Sequence, residues 1–492
     1  MPIARLLWSN SSKTYYLLAG AAVLLVVALG GGQFWGQEQR WVVTVDEMIR
    51  SGDYLHPYFW GSAYYDKPLG SYWLMAIFAK LFGGLNEWAA RLPSVLAGLV
   101  AVWCTYRLGS RLLNRPTGLL AGWILTTSFM FVFWGRVATA DMLNLAGTLA
   151  AITWYFERKE RPGFVSYFTF FLILAVASWM KGLVAPVITI LVLIPELLRE
   201  QNWRQHLRLS LVGAGLLAGI VYLIPFALSA IVGAQHYGES GLWLVFRENF
   251  VRYFDAYDHY GPIYTYLQAL PLYQFPWSVF LPFAIVSAVR RWKTLSPNSR
   301  WIWWALLLII VFLTGTESRR GYYILPALPF GALVIADWLM TVSAKHPRLL
   351  SASGWIAAGA SLILLLWFGV GVPYGNSIGG IRPFAKEVRA TAKAIAPWPQ
   401  WRVLCWESTN RGPGFYIRPV TVIPVEIYDY AKLEALVTEH PQTIVLTHVR
   451  YLDDLKDLYA DPIVIKEVPR VPKMFRTDRM RREAYAAVIP RF

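Results

Sequence analysis

QEQRWVVTVDEMIRSGDYLHPYFWGSAYYDKP, Gln37 to Pro68, is a stretch dense in charges and aromatic rings that lies between the apolar run Thr14 to Gly32 and the apolar segment beginning at Leu69. Further apolar runs follow it almost to the last quarter of the chain. Bilayer proteins keep ionisable groups where water, a substrate or an ion meets them, so a polar stretch in this setting marks a functional site. The setting itself is plain from composition. Of 492 residues 56% are hydrophobic, above the roughly 45–50% of a soluble chain. Mean hydropathy is +0.41, so the chain reads as an integral membrane protein.

The formal charge is +16. Its basic residues fall in short clusters between apolar runs, the pattern of cytoplasmic loops, and not on one continuous face, which argues against a nucleic-acid partner. Cys104 lies in an apolar run and Cys405 in the polar last quarter, so no disulfide is expected.

Arg5 and Lys13 precede the run Thr14 to Gly32, which is long for a signal peptide and lacks a small-x-small cleavage site before Trp35. It reads as a retained helix with a cytoplasmic N-terminus, which puts the Gln37 loop outside. Leu69 to Gly84 carries Lys80 and is shorter than the ~20 residues of a span. If it crossed, Arg107, Arg111 and Arg115 would be external, against the charge rule. It is therefore expected to be an interfacial helix within a first external loop, residues 33–89. Spans are expected near 90–106, 117–134, 138–156, 163–180, 183–199, 209–232, 264–289, 300–315, 322–343 and 351–373. With the first, that makes about 11 to 13 transmembrane helices in an all-α polytopic domain, residues 1–374.

After Tyr374 the pattern changes. The runs WRVLCWES, VTVIPV, TIVLTHV and PIVIKEV alternate with FAKEVRATAKAIA, YAKLEALVTEH and LDDLKDLYA, which predicts a small α/β domain over 375–492, outside the membrane. It has no nucleotide-binding glycine pattern and no metal-spaced cluster.

Under this topology Lys67, Arg136, Asp141, Lys181, Arg247, Glu248, Arg252, His259, Arg319 and Arg320 stand at the outer ends of helices, where cations are sparse. Arginine offers phosphate a fork and lysine a point charge, so the set fits an anionic lipid headgroup. The carboxylates among them fit acid/base or metal chemistry. The plain alternative is that each arginine snorkels or pairs locally.

The Gln37 to Pro68 stretch resembles the first external loop of GT-C glycosyltransferases of the protein O-mannosyltransferase and lipid A aminoarabinose transferase type. Their pattern, roughly D-E-x-R-Y-A-x-I-A-x-E-M-x-x-S-G-D-W followed by [YF]-[ED]-K-P-P-x-x-Y-W, is met here by Glu38, Arg40, Glu47, Met48, Ser51, Gly52 and Asp53, then by YYDKPLGSYW, Tyr64 to Trp73. EWAARLPS (Glu87 to Ser94), RVATADM (Arg136 to Met142), MKGLVAP (Met180 to Pro186), REN with Arg252 and His259, PWS (Pro276 to Ser278) and SRRGYYILPALP (Ser318 to Pro329) continue it in order.

The resemblance implies a polyprenyl-phosphate, in bacteria undecaprenyl-phosphate, sugar donor. It implies transfer with inversion to a lipid, glycan or protein acceptor on the outer face of the cytoplasmic membrane. It further implies donor-phosphate contacts at Lys67, Arg136, Lys181, Arg252, Arg319, Arg320 and Tyr322, with Gln37, Arg40, Tyr65, Asp141, Glu248, Asn249 and His259 elsewhere in the site. The chain is expected to act as a monomer.

Two departures stand out. Gln37 occupies the place of the family's aspartate, the expected general base, and a glutamine is no useful proton acceptor. Either the adjacent Glu38 serves, or Asp46 or Asp66 does, or catalysis is weak or absent. Asn249 stands where aminoarabinose transferases tend to have a histidine; Asp66 keeps the metal-binding carboxylate without it, so no cofactor is certain and a divalent ion is an open expectation. Trp60, Trp73, Trp88, Trp277 and Trp301 read mostly as aromatic-belt anchors, Trp60, Tyr64 and Tyr65 being the exceptions within the loop. Pro271, Pro276 and Pro282 read as kinking one helix. A lipid or solute transporter, or a lipid-sugar binder without catalysis, is the competing function. Transporters place ionisable groups at the bilayer midplane and show internal repeats, neither of which is seen in this sequence.

Overall fold

The computed structural model describes residues 13–65, 67–232, 246–247, 251–255, 260–406, 412–417, 421–427 and 429–491. The helices run α1 (Lys13–Val26), α2 (Glu38–Ser51), α3 (Gly70–Leu81), α4 (Glu87–Leu112), α5 (Arg115–Thr126) and α6 (Phe129–Gly135). They continue as α7 (Asp141–Arg158), α8 (Phe164–Lys181), α9 (Val184–Leu198), α10 (Leu209–Ile231), α11 (Thr265–Tyr273) and α12 (Leu281–Arg291). Among those that follow are α13 (Pro297–Gly315), α14 (Leu328–Ser343), α15 (Pro347–Leu366), α16 (Ile381–Ile395), α17 (Gly412–Ile417) and α18 (Tyr430–Glu439). Packing divides the chain into two units, one through Val27 with Tyr65–Phe78 and Arg91–Leu365, the other of Ala28–Tyr64, Ala79–Ala90 and Leu366–Phe492.

The first unit is the helical membrane part. Among the described residues six helices are long and apolar enough to cross a bilayer, or eight if each of two bent pairs is one span. The expected count of about eleven is reached only if α1, α7 and α9 are added, and α1 and α9 have 14 and 15 residues. α3, with 12 residues or about 18 Å, is too short to cross.

α4 is longer than the sequence pattern implied, 26 residues, and carries Arg107 and Arg111 on its last turns. Cations are favoured there by the helix dipole, and the two pair with Glu157 and Glu160 at 2.7 and 2.5 Å. Asn114 then starts α5, its Oδ1 accepting the Thr117 N–H at 3.0 Å. α4 and α5 lie close because both carry glycine where they meet: a Cβ on Gly109 would stand 2.8 Å from the Gly118 Cα.

The expected single span 117–134 is instead two helices, α5 and α6, bent by 70°. The hydroxyls of Thr127 and Ser128 donate back to the carbonyls of Trp123 and Ile124 at 2.6 and 2.7 Å, and Ser128 is extended, so the helix ends there. A second break, of 114°, separates α11 from the helical stretch that starts at Trp277, with Pro276 in the gap. Pro282 sits in the first turn of α12, where its missing N–H costs nothing.

Two tryptophans read as belt anchors are core residues. Trp277 is 0% exposed, its indole N–H on the Thr127 hydroxyl at 2.8 Å, and Trp301 donates to the Val192 carbonyl at 3.0 Å.

In the second unit, half of the polar stretch is helix. α2 places Trp41, Val42, Val45 and Met48 on one buried stripe, and ends at Gly52, whose φ of 74° favours glycine. A two-residue hairpin follows, β1 (Tyr58–Phe59) paired antiparallel with β2 (Ser62–Ala63), turning on Trp60 and Gly61 with φ of 55° and 71°. The C-terminal lobe is a five-stranded sheet in the order β4 (Thr421–Ile427), β3 (Arg402–Trp406), β5 (Thr443–His448), β7 (Tyr485–Ile489), β6 (Ile463–Lys466). β3 runs parallel to β4 and β5; β7 runs antiparallel to β5 and β6. Successive residues of β3 serve opposite faces: Val403 packs with Ile381, Phe384 and Val388 of α16, and Leu404 and Trp406 with Leu433 and Val437 of α18. The sequence reading lacked β7, which lies beside β5 near the middle of the sheet.

Candidate functional site

In the first unit, Asp141 opens α7, where the helix N-terminus favours a carboxylate, and Lys181 closes α8 just before Gly182, a left-handed position with φ of 91°. The two side chains meet at 2.5 Å, both largely buried. The Lys181 ammonium also faces the rings of Tyr323 and Tyr322 at 4.8 and 5.7 Å. Tyr322 stacks obliquely on Trp134 at 4.5 Å and accepts a hydrogen bond from Arg320 Nη1 at 3.1 Å. Asp141, Lys181, Arg320 and Tyr322 of the expected set are therefore one cluster, and Tyr323 and Trp134 join it. Tyr323 stands in the quoted SRRGYYILPALP motif, and adjacency to Tyr322 was its only signal.

Arg319 and Arg136 are differently occupied. Arg319 donates from Nε and Nη2 to the Thr314 carbonyl at 3.1 and 3.0 Å and from Nη1 to the Gly261 carbonyl at 2.6 Å, fastening residue 261 to the end of α13. Arg136 gives Nη1 to the carbonyls of Leu24 and Leu25 at 3.0 and 2.8 Å and Nη2 to that of Val27 at 2.6 Å. It caps the C-terminus of α1 and lies buried, as the helix dipole favours. Lys67 and Tyr65 are half-buried, Arg252 falls in a short helical turn, and Asp66, Glu248, Asn249 and His259 lie outside the described residues.

In the second unit, Gln37 is the N-cap of α2 and makes no side-chain cap bond; Glu38 opens the helix and is 1% exposed. Its Oε2 accepts the Trp35 N–H at 2.7 Å, satisfying an amide just ahead of the helix. Arg40 is exposed and donates to the Tyr64 hydroxyl at 3.3 Å. Asp46 pairs with Arg50 one turn on, at 2.7 Å.

Glu47 accepts the Gly61 N–H at 3.3 Å and so holds the hairpin tip. Burial pushes its carboxyl above the ordinary value, against the Gly61 and Trp60 amides, which pull it down. Asp53 makes the turn after α2: its Oδ1 accepts the Leu55 and His56 amides at 2.9 and 3.0 Å and its Oδ2 meets His56 Nδ1 at 2.6 Å. Burial acts upward on that carboxyl, yet these hydrogen bonds hold it below the ordinary value.

Among the described residues no group of three or more His, Cys, Asp or Glu side chains could hold a metal ion.

The chain is similar in sequence to polyprenyl-phosphate-dependent glycosyltransferases and shares the GT-C fold, as its motifs lead one to expect. A family model described as dolichyl-phosphate-mannose-protein mannosyltransferase matches residues 66–228. An undecaprenyl phosphate-alpha-4-amino-4-deoxy-L-arabinose arabinosyl transferase 1 of Pseudomonas fluorescens is 27% identical over 365 residues, which are 71% of this chain and 62% of its own length. The corresponding transferase of Pectobacterium carotovorum is 24% identical over 477 residues, 92% of this chain and 82% of its own. The crystal structure of ArnT from Cupriavidus metallidurans bound to undecaprenyl phosphate shares the fold, with a TM-score of 0.72 at 17% identity, covering 97% of this chain and 98% of that one. The chain spans less than two thirds of the length of the Pseudomonas relative.

Proposed function

We propose that this protein is an inverting glycosyltransferase that moves a monosaccharide from a polyprenyl-phosphate donor, in bacteria undecaprenyl phosphate, to a hydroxyl of a lipid, glycan or protein acceptor. The observation that carries the reading is the Lys181, Arg320 and Tyr322 cluster on a fold shared with a structure that holds undecaprenyl phosphate. Negative charge develops on the leaving phosphate as the sugar's anomeric bond breaks, and preorganised cations stabilise that charge. The acceptor oxygen attacks the same carbon from the opposite face, and its proton passes to a carboxylate. Glu38 is taken as the base because it follows Gln37 directly and is fixed in direction by the Trp35 amide; Asp46, paired with Arg50, and Asp66, outside the described residues, are the alternatives.

The names of the relatives make 4-amino-4-deoxy-L-arabinose the first sugar to offer. In this reading the enzyme is a monomer of the cytoplasmic membrane, with residues 1–374 as its membrane part and residues 375–492 as a lobe on the outer, periplasmic side. The purified protein in detergent, given a polyprenyl-phosphate sugar and a hydroxyl acceptor, should release free polyprenyl phosphate. Tight donor binding with no release would make it the lipid-sugar binder that Gln37 in place of an aspartate also allows. A divalent ion held by Asp66 belongs to the same assay: loss of turnover in EDTA with recovery on added metal supports it, and unchanged turnover removes it.

A further inference from the structure

The entry to α2 is held from far along the chain. The Phe34 N–H donates to the Tyr416 hydroxyl at 2.7 Å, and that hydroxyl donates to Glu87 Oε1 at 2.7 Å. The same Glu87 oxygen accepts Arg382 Nε at 2.8 Å, and Arg382 Nη2 reaches the Gly30 carbonyl at 3.0 Å. Phe34 is 1% exposed and meets Phe415 edge to face at 5.1 Å. Beside it, the buried ring of Trp60 lies so close to α17 that a Cβ on Gly414 would stand 2.0 Å from it. The next amide after Phe34, that of Trp35, is the one bound by the Glu38 carboxylate. Burial first, then the Glu87 charge, hold the Tyr416 phenol above its ordinary range, so it keeps its proton and its two roles do not exchange near neutral pH.

We propose that Tyr416 is a positioning residue for Glu38, fixing the Phe34 amide so that the Trp35 amide one residue on holds the carboxylate in its working direction. The proposal rests on the reading of Glu38 as the base. Two planar peptide units joined at one Cα differ only by that residue's φ and ψ, so holding the first and burying the Phe34 side chain leaves the second little freedom. A carboxylate displaced by about 1 Å from its acceptor proton can lose on the order of a hundredfold in rate.

The test is Tyr416→Phe, which removes the hydroxyl and keeps the ring. Turnover is read as free polyprenyl phosphate, and amide exchange by mass spectrometry of the peptide covering Phe34 and Trp35. The expected result is faster exchange in that peptide with exchange unchanged in β3 and β5, kcat lower by about ten- to a hundredfold, and the donor KM within about twofold. In a Glu38→Gln background the same substitution should lower kcat no further, because its effect runs through the carboxylate.

An additive loss in the double variant overturns the proposal, as does wild-type kcat in Tyr416→Phe. Glu87→Gln still offers Tyr416 an oxygen, so its kcat should stay within about twofold; a fall equal to that of Tyr416→Phe would make the network a fold staple only. Should Tyr416→Phe not fold, Gly414→Ala crowds Trp60 and shifts α17 with every polar group retained, and faster Phe34 exchange at normal kcat then sinks the idea. If Glu38→Gln alone is fully active, the base assignment has failed and the positioning role falls with it. If Glu38→Gln is impaired and Tyr416→Phe is not, only the positioning role has failed.

Discussion

Arg136 and Arg320 look alike in sequence, each at an outer helix end within a motif, yet one guanidinium caps three carbonyls of α1 and its turn and the other reaches a tyrosine hydroxyl. Backbone carbonyls more than a hundred residues away carry no signature in sequence, so which of these cations spends its guanidinium on the backbone was not legible there. The division predicts different phenotypes. Lys67→Ala and Arg320→Ala should lower turnover by roughly ten- to a thousandfold at nearly unchanged melting temperature, the scale of losing a preorganised charge-assisted contact. Arg319→Ala should lower turnover on that scale and the melting temperature as well, because the Gly261 and Thr314 carbonyls lose their donor. Normal turnover in all three would make these cations helix anchors. Glu38→Gln keeps an oxygen for the Trp35 amide but cannot take a proton, so turnover should fall about a hundredfold with donor binding retained. Gln37→Asp should rescue that variant in part. Full activity of Glu38→Gln beside an inactive Asp46→Asn or Asp66→Asn would move the base along the loop.

Among the elements, those with strong periodicity were legible: the long apolar helices, the amphipathic α16, and four of the five strands in the last quarter. β7 was missed because YAAVI is a short run that can be told from a turn only by the partners β5 and β6 on either side of it. The α5 to α6 bend was missed because a hydroxyl that bonds back to its own helix is silent in hydropathy. That bend has a testable cost. Thr127→Val keeps the shape but leaves the fully buried Trp277 indole N–H without its acceptor, so stability should drop by about 1–3 kcal/mol, read as a lower melting temperature in detergent.

The turn after α2 predicts a pH dependence. The folded-state value of Asp53 is lowered, so its stabilisation is present above its ordinary value of 3.8 and is lost as pH falls through the folded value. Asp53→Ala should therefore melt below wild type at pH 7, by less than about 1 kcal/mol given its exposure, and the gap should narrow as pH falls below 3.8. A gap that does not narrow in acid would assign the effect to the backbone of the turn.

At the scale of the molecule, charge fixes direction. Arg107 and Arg111 on the last turns of α4 pair with Glu157 in the last turn of α7 and Glu160 just after it, and the charge rule predicts that this end faces the cytoplasm. In a cysteine-free background, Arg111→Cys should escape an impermeant thiol reagent added to intact cells, while Lys67→Cys should react; labelling at 111 from outside would invert the scheme. The second unit has a consequence for biosynthesis. Its parts are Ala28–Tyr64, Ala79–Ala90 and Leu366–Phe492, so the segment bearing Glu38 leaves the ribosome roughly 300 residues before the lobe that completes it. At about 5–20 residues per second this is a delay of roughly 15–60 s, in which Phe34 and Trp60 have no lobe to close over them. A nascent chain thus carries the α2 segment open while its bundle is already inserting, and closes it only once residues from 366 onward have been made.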